Sequence, residues 1–454
     1  MHKINAFLFR PTSAAPLAVF RVIFGLMTLY SSFRFLSKGW VDTLYIQPKF
    51  HFTYYGFEWI KPFGATGMYL VFFLLIISAL GILLGYRYRL SILLFFLCFT
   101  YIELLDKTTY LNHYYFVSLV SFLMLFLPAN AYFSLDVYYK RVKEQREIPF
   151  WTIAILQFQL GAVYFFAGIA KLNYYWIVEA EPLNNWLKHQ TDLPLIGNFM
   201  GYKATAYLFS WFGAAYDLCI PFLLLIKRTR KWAYLLVVIF HVLTAMMFPI
   251  GVFPFVMIGS TLIFFSANFH IRLITAFYHL IKKEPPLHQE AKPTIKSNSL
   301  ITTFIMVYVA IQLILPFSYL MYPGNLFWTE QGFRFSWRVM LIEKVGYTEF
   351  SIKTKDSKGK LIVNNADYLT PFQEKMMATQ PDMILEYAHY LKSIYKDTII
   401  EENGKTFSIK EPIINANVQV SLFNKGSQTF IDPTIDLGSI KRGYQHKKWI
   451  KEYE

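Results

Sequence analysis

The chain has 454 residues, of which 55% are hydrophobic, 19% aromatic and 16% charged, whereas soluble domains carry about 25% charged residues. That balance excludes an ordinary water-soluble protein and indicates a chain embedded in a bilayer. The formal net charge of +15 does not indicate nucleic-acid binding: residues 321–454 hold 18 Lys and Arg against 16 Asp and Glu, and the excess lies in short loops between apolar runs, with no basic tract or reader motif.

A helix needs about 20 apolar residues to cross a bilayer. Nine runs are read as membrane helices: 15–36, 66–84, 91–105, 115–135, 150–170, 205–226, 232–247, 255–267 and 299–318, the eighth short enough to be re-entrant. Arg21 interrupts the first run and no A-x-A site follows it, so the run is read as retained and not as a cleaved signal. The loops then sort by charge. Residues 1–14, 85–90, 136–149, 227–231 and 268–298 carry 17 Lys and Arg, against 7 in 37–65, 106–114, 171–204 and 248–254. Basic loops stay in the cytoplasm, and nine crossings then place the C-terminal segment outside it.

The predicted fold is therefore an integral membrane protein, mainly α, of the cell inner membrane. Residues 1–320 form a domain of about nine transmembrane helices, and residues 321–454 a β-rich (α+β) extracytoplasmic domain. In the latter, YTEFSIKTK, DSKG and KLIVN read as strand, turn and strand, with Gly359 in the bend. Residues 381–396 read as an amphipathic helix opened by Pro381, with Ile384, Tyr387, Ala388, Leu391, Ile394 and Tyr395 on one face. VQVSLF and QTFIDP read as later strands. Cys98 and Cys219 sit in apolar segments without metal-ligand or disulfide spacing, and the scattered histidines form no metal set.

Ionisable residues at membrane depth read as functional by default. In LLDKTTYLNHYYF (104–116), Asp106, Lys107, Asn112 and His113 crowd a tight loop that an interfacial turn also explains. In YFFAGIAKLNYYW (164–176), Lys171 ends a long apolar run whose Ala167, Gly168 and Ala170 permit close helix packing. It is either a snorkelling lysine or a desolvated amine that acts as a base. His241 lies in an apolar helix, where a packed histidine is the common case. Arg21 needs a carboxylate or carbonyls as partner. Because the loop map puts Asp106, His113, Lys171 and His241 at one face, a shared proton-transfer cavity is expected.

At these residues the chain resembles the vitamin K-dependent gamma-carboxylases and their bacterial relatives with the horizontally transferred transmembrane domain. The resemblance rests on PLAVFRVIFG (16–25), LLDKTTYLNH (104–113), VYFFAGIAKLN (163–173), FHVLTAMMFPIGVF (240–253), GFRFSWRVM (332–340) and QTFIDPTIDL (428–437), in family order over most of the chain. It implies Lys171 as the base that deprotonates the reduced quinone, His113 as its assistant and Asp106 as the acidic residue of the same block. It further implies Asn112, His241 and Tyr164 as quinone contacts. Arg334 and Arg338 are the candidates for clamping the substrate carboxylate. The implied cofactor is a reduced vitamin K-type quinone, menaquinol or phylloquinol, with dioxygen and carbon dioxide as co-substrates. Membrane lipid and an exported Glu-containing protein or peptide are the implied partners.

In the chemistry so implied, oxygenation of the quinol anion yields an alkoxide base that takes a glutamate γ-proton, and carboxylation accompanies epoxide formation. Two departures bear on protein-substrate recognition: Ile342 and Thr354 stand where animal enzymes have His and Tyr, which bears on coupling too, and the chain ends soon after IDPTIDL. Two alternatives stay open, a quinol oxygenase/epoxidase uncoupled from carboxylation and a non-catalytic membrane scaffold of an envelope complex.

Overall fold

The computed structural model describes residues 2–194, 196–283, 298–354, 360–402 and 405–454. The predicted DSKG turn and part of the basic loop 268–298 lie outside the described residues. The membrane part contains α1 (Ala15–Ser37), α2 (Gly64–Leu84), α3 (Tyr88–Leu105), α4 (Asn112–Met124), α5 (Trp151–Lys171), α6 (Lys203–Leu225), α7 (Arg230–Met247), α8 (Phe253–Thr261), α9 (Ala267–Leu280) and α10 (Ser299–Ile314). Among the described residues seven helices are long and apolar enough to cross a membrane, α10 together with the turns that carry it to Met321. The protein is a multi-pass membrane protein.

One predicted span is shorter than expected, and the short eighth one is part of a bent pair. The run 115–135 becomes α4, which has 13 residues; Pro128, three residues after its last turn begins to loosen, cannot continue a helix. Even so α4 traverses the bundle beside α3, for it starts next to the end of α3 and the Tyr88 hydroxyl, at the start of α3, donates to the Met124 carbonyl at 2.7 Å. The run 255–267 becomes α8, which with its continuation to Phe264 is bent by 115° against α9. Helix α9 lies across the end of the bundle, with Ile274 packed on Ala15 and Val19.

The bundle end that carries the basic loops is tied by backbone groups. Arg21 is 1% exposed and donates to the carbonyls of Ile82 and Phe133, so its hydrogen-bond partners are carbonyls and not a carboxylate. Gly85 has φ +63°, and a Cβ there would lie 1.9 Å from the Arg21 guanidinium. Asp136 accepts from the amides of Arg87 and Tyr88, and residues 11–13 pair with 147–149.

After Met321 the chain enters the strand-containing part: β1 (Lys344–Lys353), β2 (Leu361–Ile362), α11 (Pro371–Met377), α12 (Pro381–Tyr395), β3 (Ile413–Leu422) and β4 (Ser427–Thr429). The sheet order is β2–β1–β3–β4, antiparallel throughout, and β1 pairs with β3 from Lys344↔Leu422 to Lys353↔Ile413. Helix α12 buries Ile384, Tyr387, Ala388 and Leu391 in one cluster with Phe350, Ile352, Val418 and Val420 from the sheet. The predicted amphipathic face is thus the inner face.

Loops of the less basic set meet this part. Gln373 Nε2 donates to the Phe50 carbonyl at 2.7 Å and Asn185 Nδ2 to the Phe423 carbonyl at 3.3 Å. The strongest tie is ionic. Lys107, 4% exposed, places Nζ 3.0 Å from Asp382 and 2.8 Å from Glu386, both on α12. Arg334 Nη1 lies 2.8 Å from Asp382 and Arg442 Nη1 3.2 Å from Glu386, which also accepts from the Thr53 amide and hydroxyl. Burial alone would raise the Asp382 carboxyl, but Arg334 and Lys107 hold it well below the ordinary carboxylate range. Its contribution to stability is therefore complete above that range and is lost as pH falls below it.

Removing one member of a buried ion network costs about 3–5 kcal/mol because the others are left uncompensated. Lys107→Met is therefore expected to lower the unfolding free energy in detergent micelles by that order, read as a lower midpoint. An unchanged midpoint would show that docking does not rest on this lysine.

Candidate active site

Lys171 is the last residue of α5, and Gly168 one turn earlier sets how close α6 comes. A Cβ on Gly168 would lie 2.7 Å from the Leu218 amide. With the helices at that distance, Lys171 Nζ reaches Asp217 Oδ2 at 2.6 Å, and both groups are buried, Lys171 at 6% and Asp217 at 4% exposure. The ammonium also lies 5.3 Å from the Trp176 ring, which Ser210 and Asn173 fix by hydrogen bonds to its indole and backbone N–H groups.

This pair lines a cavity of about 100 Å³. Tyr164, Phe240, His241 and Phe253 supply aromatic wall, and Val339 and Met340 close it from the C-terminal part. The Tyr164 ring stands 6.0 Å from that of His241, and its hydroxyl lies 3.4 Å from Thr261 Oγ1. His241 Nδ1 is 2.9 Å from the Val237 carbonyl. A carbonyl only accepts, so Nδ1 carries the hydrogen and Nε2 is the acceptor nitrogen. Lys171, His241 and Tyr164 are therefore brought together at one cavity.

The other predicted residues are placed differently. His113 lines a separate cavity; its ring is 5.3 Å from Phe253, which in turn is 6.3 Å from His241. Phe253, at the start of α8, is thus the partition between the two spaces. Asp106 reaches neither. Its Oδ1 accepts from the Thr108 amide and hydroxyl, and its Oδ2 accepts from Gln373 at 2.8 Å and lies 3.3 Å from His51 Nδ1. It caps the 107–109 turn, the bland reading of that block. Asn112 Nδ2 donates to the Arg338 carbonyl at 3.0 Å and so holds the segment that carries Val339 and Met340. Arg334 is committed to Asp382 and Gln380. Arg338 is 7% exposed, stacks 4.3 Å from the Tyr319 ring and has no carboxylate partner among the described residues.

Asp217 is the functional-looking residue that reading by blocks missed. Its signal was present, a lone carboxylate inside a 23-residue apolar helix. The GFRFSWRVM segment also holds a feature invisible in sequence: Phe335, Trp337 and Met340 have φ of 63°, 58° and 53°. Left-handed non-glycine residues persist only where packing over-determines them. Here Tyr115 stacks on Trp337 at 5.0 Å and meets Phe335 at the same distance.

The HTTM domain family matches residues 9–269, and the vitamin K-dependent gamma-carboxylase lumenal domain family matches residues 297–454. The chain belongs to the vitamin K-dependent gamma-carboxylase family. No solved structure matches it. For a member of the gamma-carboxylase family, reduced vitamin K, dioxygen and carbon dioxide are the reactants implied in general. In this gamma-carboxylase relative Ile342 packs against the core of the C-terminal part, and Thr354 lies just beyond the far end of β1.

The buried pair generates a cycle. Asp217→Ala alone leaves an uncompensated ammonium, and Lys171→Ala alone a carboxylate, whereas the double variant removes both charges. Unfolding of the four proteins in detergent should show a coupling of about 1–3 kcal/mol. Additive effects would mean that the two charges do not interact.

Proposed function

We propose that this chain is a membrane-embedded, quinol-dependent gamma-glutamyl carboxylase that works in the Lys171 cavity. The observation that carries the reading is the Lys171–Asp217 pair, 2.6 Å apart in an otherwise apolar and aromatic cavity. Such walls with a few convergent polar groups fit a reduced vitamin K-type quinone, menaquinol or phylloquinol. Lys171 takes the hydroxyl proton when it is the neutral amine, Asp217 stabilises the ammonium that results, and His241 Nε2 with the Tyr164 hydroxyl orients the ring oxygen. When bound, the reduced quinone supplies, with dioxygen, the strong base that removes a glutamate γ-proton before carbon dioxide adds. The apolar wall excludes water, which would otherwise quench an anion formed there. His113 stands on the other side of Phe253 and does not touch the amine, and Asp106 holds a turn. Asn112 positions Val339 and Met340.

We divide the chain at about residue 321 and assign the C-terminal domain to the extracytoplasmic side of the cell inner membrane, where an exported Glu-containing protein meets it. Support comes from the 17-to-7 bias in Lys and Arg between the two loop sets. A periplasmically activated reporter fused after Glu454 is expected to be active, and a cytoplasmically active one silent. The reverse pattern would overturn the orientation.

Arg338 is the guanidinium we assign to the substrate carboxylate, since Arg334 already serves Asp382. An uncoupled quinol oxygenase is the second reading, favoured by Ile342 and Thr354, neither of which lines the Lys171 cavity. One assay decides between them. Purified protein in nanodiscs is given reduced quinone, a Glu-containing peptide and labelled carbon dioxide, and epoxide and incorporated label are measured together. Equal amounts support the carboxylase, and epoxide without label the oxygenase. Lys171→Ala is expected to reduce quinol turnover by at least about a hundredfold, with partial rescue by small amines. Wild-type turnover in that variant would remove Lys171 from the chemistry.

A further inference from the structure

The 115° bend between Phe264 and α9 turns the chain across the end of the bundle. Beside the bend, against the first two turns of α7, lies an open groove of about 740 Å³. Leu235 and Val238 of α7, with Leu262, Phe265 and Phe269, give it an apolar wall. Lys231 and Arg272 line it too, together with Tyr234, Ser266 and Asn268, and no Asp or Glu does.

Side-chain contacts hold the groove in shape. The Tyr234 hydroxyl donates to the Ile258 carbonyl at 3.3 Å, and its ring meets that of Phe265 edge-on at 5.1 Å. Phe265 in turn lies 4.8 Å from Phe269. From α5, Gln157 Nε2 donates to the Ile263 carbonyl at 3.1 Å and so fixes the chain just before the bend. The charge of this region is one-sided. Residues 218–283 carry seven Lys and Arg and no Asp or Glu, so α7, α8 and α9 offer Lys231 and Arg272 no carboxylate.

The apolar side of the groove continues away from the charges. Leu235, Ile239, Val242 and Met246 form an exposed stripe along α7, the least buried of the seven long apolar helices among the described residues. Helix α9 exposes Ile271, Leu273, Phe277 and Leu280. Exposed apolar surface on a membrane protein faces lipid, and a helix of this kind lying across a bundle end sits in the interface plane. The two cations are then at headgroup depth, where a basic pocket between helices recognises anionic lipid. A small soluble anion would engage the cations and leave the apolar wall bare, whereas a phospholipid matches both.

We propose that the groove between α7 and α9 binds one anionic phospholipid, its phosphate held by Lys231 and Arg272 and an acyl chain laid against Leu235 and Val238. The site shares no lining residue with the Lys171 cavity and does not depend on the chemistry assigned there.

The test is native mass spectrometry of the full chain released from detergent micelles, titrated with phosphatidylglycerol or with phosphatidylcholine of the same acyl chains. Phosphatidylglycerol is expected to bind at least about tenfold more tightly. Each basic residue beside an anionic headgroup contributes roughly fivefold, so Lys231→Gln with Arg272→Gln should weaken phosphatidylglycerol roughly thirtyfold and leave phosphatidylcholine unchanged. Both side chains are exposed, and their loss does not disturb the core. Val238→Trp fills the groove without altering charge and is expected to weaken both lipids. Lys282→Gln with Lys283→Gln removes the same charge outside the groove and should leave the preference intact. Equal losses in the two double variants would mean diffuse attraction and overturn the site, as would equal binding of the two lipids by the wild type. Displacement of the lipid by glycerol phosphate at similar concentration would assign the groove to a soluble anion and overturn it as well.

Discussion

The ammonium of Lys107, held between Asp382 and Glu386, is the contact on which the arrangement of both halves depends. It joins a loop of the helical bundle to α12 of the C-terminal part. Asp382 also receives Arg334, near the start of the segment 332–340. That segment runs back to the bundle and sets Val339 and Met340 into the wall of the Lys171 cavity. A charge network at an interface thus determines whether a cavity in the membrane part is complete. Burying these ions contributes little net stability against apolar substitutes of the same shape. What it supplies is register, because Lys107 is satisfied only when both carboxylates arrive together.

The long apolar helices were legible in the sequence, because hydropathy acts over whole segments. Phe50 and Asn185 from the less basic loop set meet the C-terminal part, while Asp136 and Arg87 from the basic set meet each other. The amphipathic face of α12 was legible for the same reason. Contacts between segments were not. Asp217 lies 46 positions from Lys171, and only the approach permitted by Gly168 turns two isolated charges into a pair. His113 and Lys171 looked like neighbours because both sit near one end of the bundle, but α8 inserts Phe253 between them. The left-handed backbone of Phe335 and Trp337 has no compositional signal, since aromatic residues do not favour it; stacking from Tyr115 imposes it.

The Lys171–Asp217 pair is hard to explain as a stabilising device. Its neighbours are aromatic and aliphatic, and an apolar pair of similar volume would satisfy the same packing without the desolvation penalty of two ions. A cation and an anion kept together at a cavity wall have one further property that apolar residues lack: a proton can pass between amine and carboxylate without any change in the net charge of the pair. That property suits a base that must be regenerated, and it explains why the carboxylate is within direct hydrogen-bond reach instead of across the cavity.

A cavity that protects an anion from water raises its own difficulty, since the proton removed there must still leave. An opening wide enough for water next to Lys171 would restore the quenching that the apolar wall prevents. Phe253 meets the constraint on one side, since its ring stands between the Lys171 space and the neighbouring space that His113 lines. The ring that keeps His113 from Lys171 is therefore also part of the wall that closes the cavity around the amine.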